Sequence, residues 1–166
     1  MQKILTIGSI FTLSLVLSPL ISFGQQPDIE IKANMKKGDY VDTNLWFQTT
    51  NITFGQNNNI CPNNDCKYEF QDGTFNDFGS TKFINGKLKL EDKTNSGNNF
   101  TSFNYYDLSG SFELENSKES PSEKLFFYGG DLTMEKKGDA PEKFEYASKI
   151  ILSEPSNTFV LTGTPK

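Results

Sequence analysis

Beyond its first 24 residues, the chain alternates apolar and polar positions in short runs. One run, from Tyr106 to Leu114, places its apolar side chains on a single face of an extended strand. No segment after residue 24 shows a sustained helical period, and Asn, Gly, Ser and Thr fill the gaps between apolar runs. The pattern therefore predicts an all-β fold, an antiparallel β-sandwich of about 8–10 strands, with a closed, lipocalin-like β-barrel as the alternative.

Three short segments predict the turns between these strands. Asp72-Gly73 suits a two-residue type I′ turn, because both central residues of that turn need positive φ, and it would place Phe70 opposite Phe75. Asn85-Gly86 predicts a second turn of the same kind. The segment 154–157 fits a four-residue loop with proline at its second position. Each of these turns would pair apolar residues with apolar residues across a hairpin.

A glycine also recurs inside an alternating pattern, at Gly86, Gly110 and Gly130. The last two are best placed within continuous strands, because continuity lines up more apolar residues on one face than a turn would. Glycine inside a strand marks a bulge, a sharp bend or the close approach of another backbone. We therefore expect strands that curl around a core.

The first residues have the layout of a secretory leader. Lys3 precedes an apolar stretch from Ile4 to Leu17, then Pro19 breaks any helix, and cleavage is predicted after Gly24. The alternative is an uncleaved anchor. The sequence thus predicts a signal peptide at residues 1–24 and a single all-β domain at 25–166, secreted into the extracellular or cell-envelope space, with no membrane span after cleavage.

The charge and composition narrow the classes of function. The net charge is −5, there is no His, and arginine is absent. An acidic chain without guanidinium groups is a poor match for phosphate backbones, so no nucleic-acid partner is predicted. The lack of His removes the commonest general base and the usual zinc ligand. No catalytic residue is identified, and the chain is not expected to be an enzyme.

Both cysteines lie close together, at Cys61 and Cys66. The spacing is not that of a thioredoxin-type pair, and a zinc site would lack His and further Cys ligands. In an exported chain, two cysteines this close most simply form a disulfide, with free thiols or a metal as alternatives. Closing so short a loop stabilises the fold by about 2 kcal/mol.

The segment around the cysteines, residues 56–65, is rich in Asn and Asp. Its oxygens would suit Ca²⁺, although the spacing of an EF-hand is absent, so no cofactor is expected and Ca²⁺ is the weaker alternative. Asn51 and Asn99 begin Asn-x-Thr tripeptides, which are acceptors for N-glycosylation. Both are therefore candidate modification sites.

The block from Ile52 to Gly73 contains Ile-Thr-Phe-Gly, then Ile-Cys-Pro, then Cys-Lys-Tyr-Glu-Phe and finally Asp-Gly. It resembles a block of exported β-rich proteins of archaea whose activity is not known. The resemblance implies export and paired cysteines. It assigns no functional residue.

Three hypotheses of function follow. The first is a secreted or cell-surface, non-catalytic binding or structural module for a polymer or protein, with Phe103 and Tyr105 as the contact residues if their face is exposed and as core residues if it is covered. The second is a carrier of a small apolar ligand inside a barrel. The third is a glycoside hydrolase, which needs two carboxylates and neither His nor Cys. A cavity above about 300 Å³ would favour the carrier, and a filled interior the module.

Overall fold

Antiparallel strands make up nearly all of the fold. The computed structural model describes residues 27–37, 44–78, 80–92 and 102–166. The predicted leader and Asn99 lie outside the described residues. The strands are β1 (Ile29–Lys37), β2 (Asn44–Phe54), β3 (Tyr68–Phe78), β4 (Thr81–Asp92), β5 (Ser102–Glu119), β6 (Lys124–Lys136), β7 (Lys143–Glu154) and β8 (Thr158–Pro165), with a 3-10 turn at Pro62–Asn64.

Strand pairing closes the sheet on itself. Each strand pairs with the next along the chain, and β8 pairs back with β1 from Thr158 to Gly163. The predicted all-β antiparallel fold is confirmed, and the strongly curled sheet has the strand order of the barrel alternative. The described residues contain no helix that is long and apolar enough to cross a membrane.

Alternation along the strands fills the interior of the barrel. Phe75 of β3 and Phe159 of β8 are both fully buried, and their ring centroids lie 5.6 Å apart. These two strands are not neighbours in the ring, so the two side chains meet across the interior. Burying a large apolar side chain stabilises the fold by about 1.5–3 kcal/mol. The apolar side of each strand therefore faces the interior.

The loop predicted at 154–157 is confirmed. β7 ends at Glu154 and β8 begins at Thr158, with Leu152 opposite Phe159 and Ile150 opposite Leu161. All four of those side chains point inward and are buried.

The turns predicted at Asp72-Gly73 and Asn85-Gly86 are wrong. Both dipeptides lie inside long strands, and β3 joins β4 at Phe78–Thr81 instead. A register shift between Gln71 and Thr74 adds one residue to β3. Phe70 and Phe75 are five positions apart, which would place them on opposite faces of a regular strand. The extra residue places both side chains on the inner face, where Phe75 is fully buried and Phe70 packs against the core.

Gly86 makes room for one of those rings. A Cβ at this position would overlap the Cζ of Phe70, whose strand lies next to β4. Asn85-Gly86, which resembles a turn in the sequence, therefore lies within a strand, and Gly86 leaves space on the inner face for the ring of Phe70.

β5 extends past its neighbour β4, whereas β6 pairs with β7 as far as Lys124. The sequence of the segment 117–124, with Pro121 in its middle and no apolar face, predicts a loop. The structure narrows that loop to 120–123, because β5 continues to Glu119 and β6 begins at Lys124. Leu114 is on the predicted face but is 42% exposed, because β4 begins at Thr81, opposite Glu113, and gives no cover beyond that point.

Two adjacent glycines of β6 allow a test of close backbone packing. A Cβ on Gly130 would overlap the backbone carbonyl of Ser111 in β5, whereas a Cβ on Gly129 would meet the flexible end of Glu115. We expect Gly130→Ala to lower the free energy of unfolding by about 3 kcal/mol and Gly129→Ala by less than about 1 kcal/mol. Urea denaturation of both variants measures this, and equal losses would contradict it.

Candidate functional site

Two aromatic side chains, Phe103 and Tyr105, lie on the outer face of β5. They are 40% and 53% exposed, whereas the next inward residue, Tyr106, is buried. Lys89 of β4 lies opposite Tyr105 in the strand register. Phe103, Tyr105 and Lys89 are called the aromatic face below. Of the two alternatives that the sequence left open, the structure gives the exposed one.

Lys89 connects the aromatic face to β3. Its Nζ lies 4.4 Å from the ring centroid of Phe103 and 3.5 Å from Oε2 of Glu69. The amide of Gln71 donates a hydrogen bond of 2.7 Å to Glu69, and this bond, followed by the charge of Lys89, lowers the pKa of Glu69. The carboxylate is thus held ionised at neutral pH. The general acid of a glycoside hydrolase requires the opposite shift.

A second ion pair borders the aromatic face on the side of β6. Nζ of Lys137 lies 2.7 Å from Oδ2 of Asp107, and its backbone N–H donates to the carbonyl of Tyr105. The hydrogen bond to Asp107 raises the pKa of Lys137. Lys89 and Lys137 are therefore each matched with a carboxylate, so these two charges do not form a basic patch.

The two cysteines form the predicted disulfide. It lies in the connection between β2 and β3, residues 55–67, called the cap loop below. The Cα atoms are 5.8 Å apart, Cys61 is fully buried, and Cys66 packs against the core. The bridge therefore anchors the cap loop to the interior of the barrel.

The cap loop also closes a gap between β2 and β3. The described strands pair only from Asn44 to Trp46 with Thr74–Asn76. Farther along β2, the N–H of Phe54 donates to Oδ1 of Asn64, and the N–H of Ile52 donates to the hydroxyl of Tyr68, both at 2.9 Å. Unpaired backbone N–H groups at a strand edge cost free energy when they are buried, and they pair with other chains when they are exposed. Side chains of and beside the cap loop thus satisfy the edge that β3 leaves open.

Asn58 holds the cap loop over the end of the barrel. It is almost fully buried, and its Oδ1 accepts hydrogen bonds from the N–H groups of Ile60 and Cys61 at 2.8 and 2.9 Å. Its Nδ2 donates to Oδ2 of Asp28 at 2.6 Å. The composition of this Asn-rich segment is visible in the sequence, but the role of Asn58 is not, because its partner Asp28 lies 30 residues away.

The remaining candidate sites are a metal site and the two N-glycosylation sites. Within the ranges that the structure describes, no group of three or more His, Cys, Asp or Glu side chains is placed to hold a metal ion. Asn51 is exposed, with its Oδ1 3.5 Å from the hydroxyl of Tyr68. Glycosylation at Asn51 and Asn99 stays a prediction.

Comparison of the chain with protein-family models, with curated proteins and with solved structures finds no match. The resemblance of the block from Ile52 to Gly73 to exported archaeal proteins therefore stays a prediction.

Removing the disulfide should loosen the cap loop more than the rest of the barrel. We expect Cys61→Ala together with Cys66→Ala to lower the free energy of unfolding by about 2 kcal/mol. The amides of Ile52 and Phe54 should exchange with solvent faster, because their acceptors are in or next to the cap loop.

Asn64→Gly is the matched control for this prediction. Asn64 has a φ of 54°, which glycine adopts without strain, so the variant removes the acceptor and keeps the backbone. Only the amide of Phe54 should then lose protection in hydrogen exchange followed by NMR. Unchanged exchange at both amides in the cysteine double variant would show that the disulfide does not hold this edge.

Stability at alkaline pH should depend on Tyr146, a buried inward residue of β7. Burial raises its pKa to about 12, while a hydrogen bond with Asn58 partly opposes the shift. An unfolded tyrosine ionises near pH 10, so the folded protein holds the proton more tightly. The stabilisation is complete below pH 10 and is lost as the pH rises to about 12, for a change of about 2–3 kcal/mol.

Denaturation curves at pH 9 to 12 test this sign. Tyr146→Phe should flatten the loss of stability in that range, whereas Tyr105→Phe, on the exposed face, should follow the wild type. An equally steep decline in Tyr146→Phe would mean that another group controls the alkaline transition.

Proposed function

We propose that this protein is an exported, non-catalytic domain that binds a polymer or a protein through the aromatic face. The observation that carries the proposal is the exposure of Phe103 and Tyr105 on a strand whose other side is packed core. Exposed rings side by side on a rigid sheet contribute nothing to the interior. They offer a large contact area with few rotatable bonds, which is what a binding surface requires.

The surroundings of the rings favour a ligand with hydrogen-bonding groups and little net charge. Glu69 and Asp107 are already paired with Lys89 and Lys137, so neither a cation nor an anion of the ligand is needed to satisfy them. Their remaining lone pairs and N–H groups can still bond a hydroxyl or an amide. A glycan chain or an extended peptide has this chemistry.

Export is supported by two independent features. The leader pattern at residues 1–24 comes from the sequence, and the disulfide is of the kind that persists in oxidising compartments. A binding domain outside the cytoplasm would meet polysaccharides and other surface proteins.

The carrier of a small apolar ligand is the second candidate, and the closed strand order favours it. Two contacts weigh against it. Phe75 and Phe159 meet across the interior, and Asn58 with Cys61 fills one end of the barrel. These side chains occupy space that a ligand would need, so the aromatic face is the stronger candidate.

Binding to immobilised glycans and to cell-wall polymers tests the proposal. We expect Tyr105→Ala and Phe103→Ala each to weaken binding about tenfold, the loss typical of a central aromatic contact. Phe83→Ala is the matched control, since Phe83 is 37% exposed on the outer face of β4 but lies outside the aromatic face.

Two results would contradict the proposal. One is equal binding by the wild type and all three variants. The other is recovery of an apolar small molecule by organic extraction of the purified protein with no binding to any polymer, which would favour the carrier.

A further inference from the structure

An apolar row crosses the outer face of the barrel far from the aromatic face. Phe127 of β6 lies opposite Ile151 of β7, which lies opposite Val160 of β8. These positions point outward, and Ile151 is 42% exposed. Leu125 occupies the next outward position of β6 and is partly exposed too. Among the residues that the structure describes, this apolar patch on the outer side of the sheet is covered by no other element.

The row borders a groove that small residues create. At the next outward positions, Gly129 of β6 lies opposite Lys149, and Ala147 follows on β7. Two adjoining hollows of about 270 and 340 Å³ result, and they share the side chains of Glu115, Lys149 and Thr162. The groove and the apolar row thus form one continuous surface, called the outer groove below.

Glu115 and Lys149 bring opposite charges to the outer groove. Neither side chain forms an ion pair with any residue in the part of the chain that the structure describes. Nearby, Asp131 is paired with Lys166 at 2.7 Å. Among the described residues, the surface therefore presents one carboxylate and one ammonium without an ion-pair partner beside its apolar row.

We propose that the outer groove is the interface with a second copy of this chain in a two-fold symmetric dimer. In such an interface each residue i that meets residue j on the partner is matched by j meeting i. Glu115 would face the partner's Lys149, and Lys149 the partner's Glu115, while the two apolar rows cover each other. A purely acidic or purely basic partner would satisfy one of the two charges and oppose the other.

The dimer would add to the proposed function without depending on it. The aromatic face lies at the other end of β5 and β4, so each copy would keep its own Phe103 and Tyr105 accessible. Two faces on one particle raise the apparent affinity for a repeating polymer through effective concentration. Failure of the dimer would leave the aromatic face of a single chain as the binding surface.

Reciprocal charge reversal tests the proposal. The protein, expressed from the full-length sequence and purified, should have twice the mass of one chain by sedimentation velocity. Glu115→Lys alone and Lys149→Glu alone should each raise the dissociation constant of the dimer about tenfold or more, because each places two like-charged pairs in the interface. The double variant should return to the wild-type value.

Mixing the two single variants gives a second readout. In the mixture, each Lys faces a Glu across the interface, so a heterodimer should form although neither variant dimerises alone. Ile151→Asp should also give a monomer, and Glu142→Lys, an exposed acid in the loop between β6 and β7, should not. Thermal unfolding confirms that each variant is folded.

Several outcomes would overturn the proposal. A monomeric wild type at all concentrations would do so, whether or not the outer groove then binds a peptide or glycan. Dimers that survive both single reversals would place the interface on another surface. A mixture of the two single variants that stays monomeric would exclude the two-fold arrangement.

Discussion

The hydrogen bonds between β1 and β8 are the constraint on which the rest of the fold depends. Without them the sheet would have two free edges, and its two faces would be equally open to solvent. Once the ring closes, every strand has one side that points to a narrow interior and one that points to solvent. The interior is then filled by large apolar side chains that reach across it, as Phe75 and Phe159 do.

The weak part of the ring is the seam between β2 and β3, and the cap loop compensates for it. Asn64 and Tyr68 supply acceptors that a paired strand would otherwise provide, and Asn58 ties the loop to Asp28 near the start of β1. The disulfide keeps these groups in place within a short connection. Its contribution is therefore local, which agrees with the modest stabilisation expected from closing so small a loop.

Closure of the ring also determines which apolar side chains remain on the outer surface. Large apolar side chains on the outer surface, such as Tyr105 and Ile151, are exposed at a cost in solvation. Two groups of them are distinct, because the aromatic face lies beside paired charges and the outer groove lies beside Glu115 and Lys149, which form no ion pair among the described residues. The aromatic face suits a ligand of low charge, and the outer groove suits a partner that carries the complementary charges.

Much of the fold could be predicted from periodicity, because burial follows alternation. The segment 154–157 was identified as a loop since its flanking apolar residues agree in register. The turns predicted at Asp72-Gly73 and Asn85-Gly86 are wrong because a turn signal depends only on neighbouring residues. The register of β3 and β4 depends instead on the packing of Phe70 and Phe75 against the core. The exposure of Phe103 and Tyr105 depended on whether a second layer covers β5, which no local pattern records.

The bulges show which sequence feature would have given a better prediction. A strand that keeps both Phe70 and Phe75 inside, five positions apart, must gain one residue between them. The same device in β5 leaves Glu115 unpaired between Leu114 and Asn116 and turns its side chain outward over Gly129. In β3 the odd spacing of Phe70 and Phe75 therefore indicates a bulge, whereas the Asx-Gly dipeptides of β3 and β4 are not turns. In β5 the bulge also places the carboxylate of Glu115 in the outer groove.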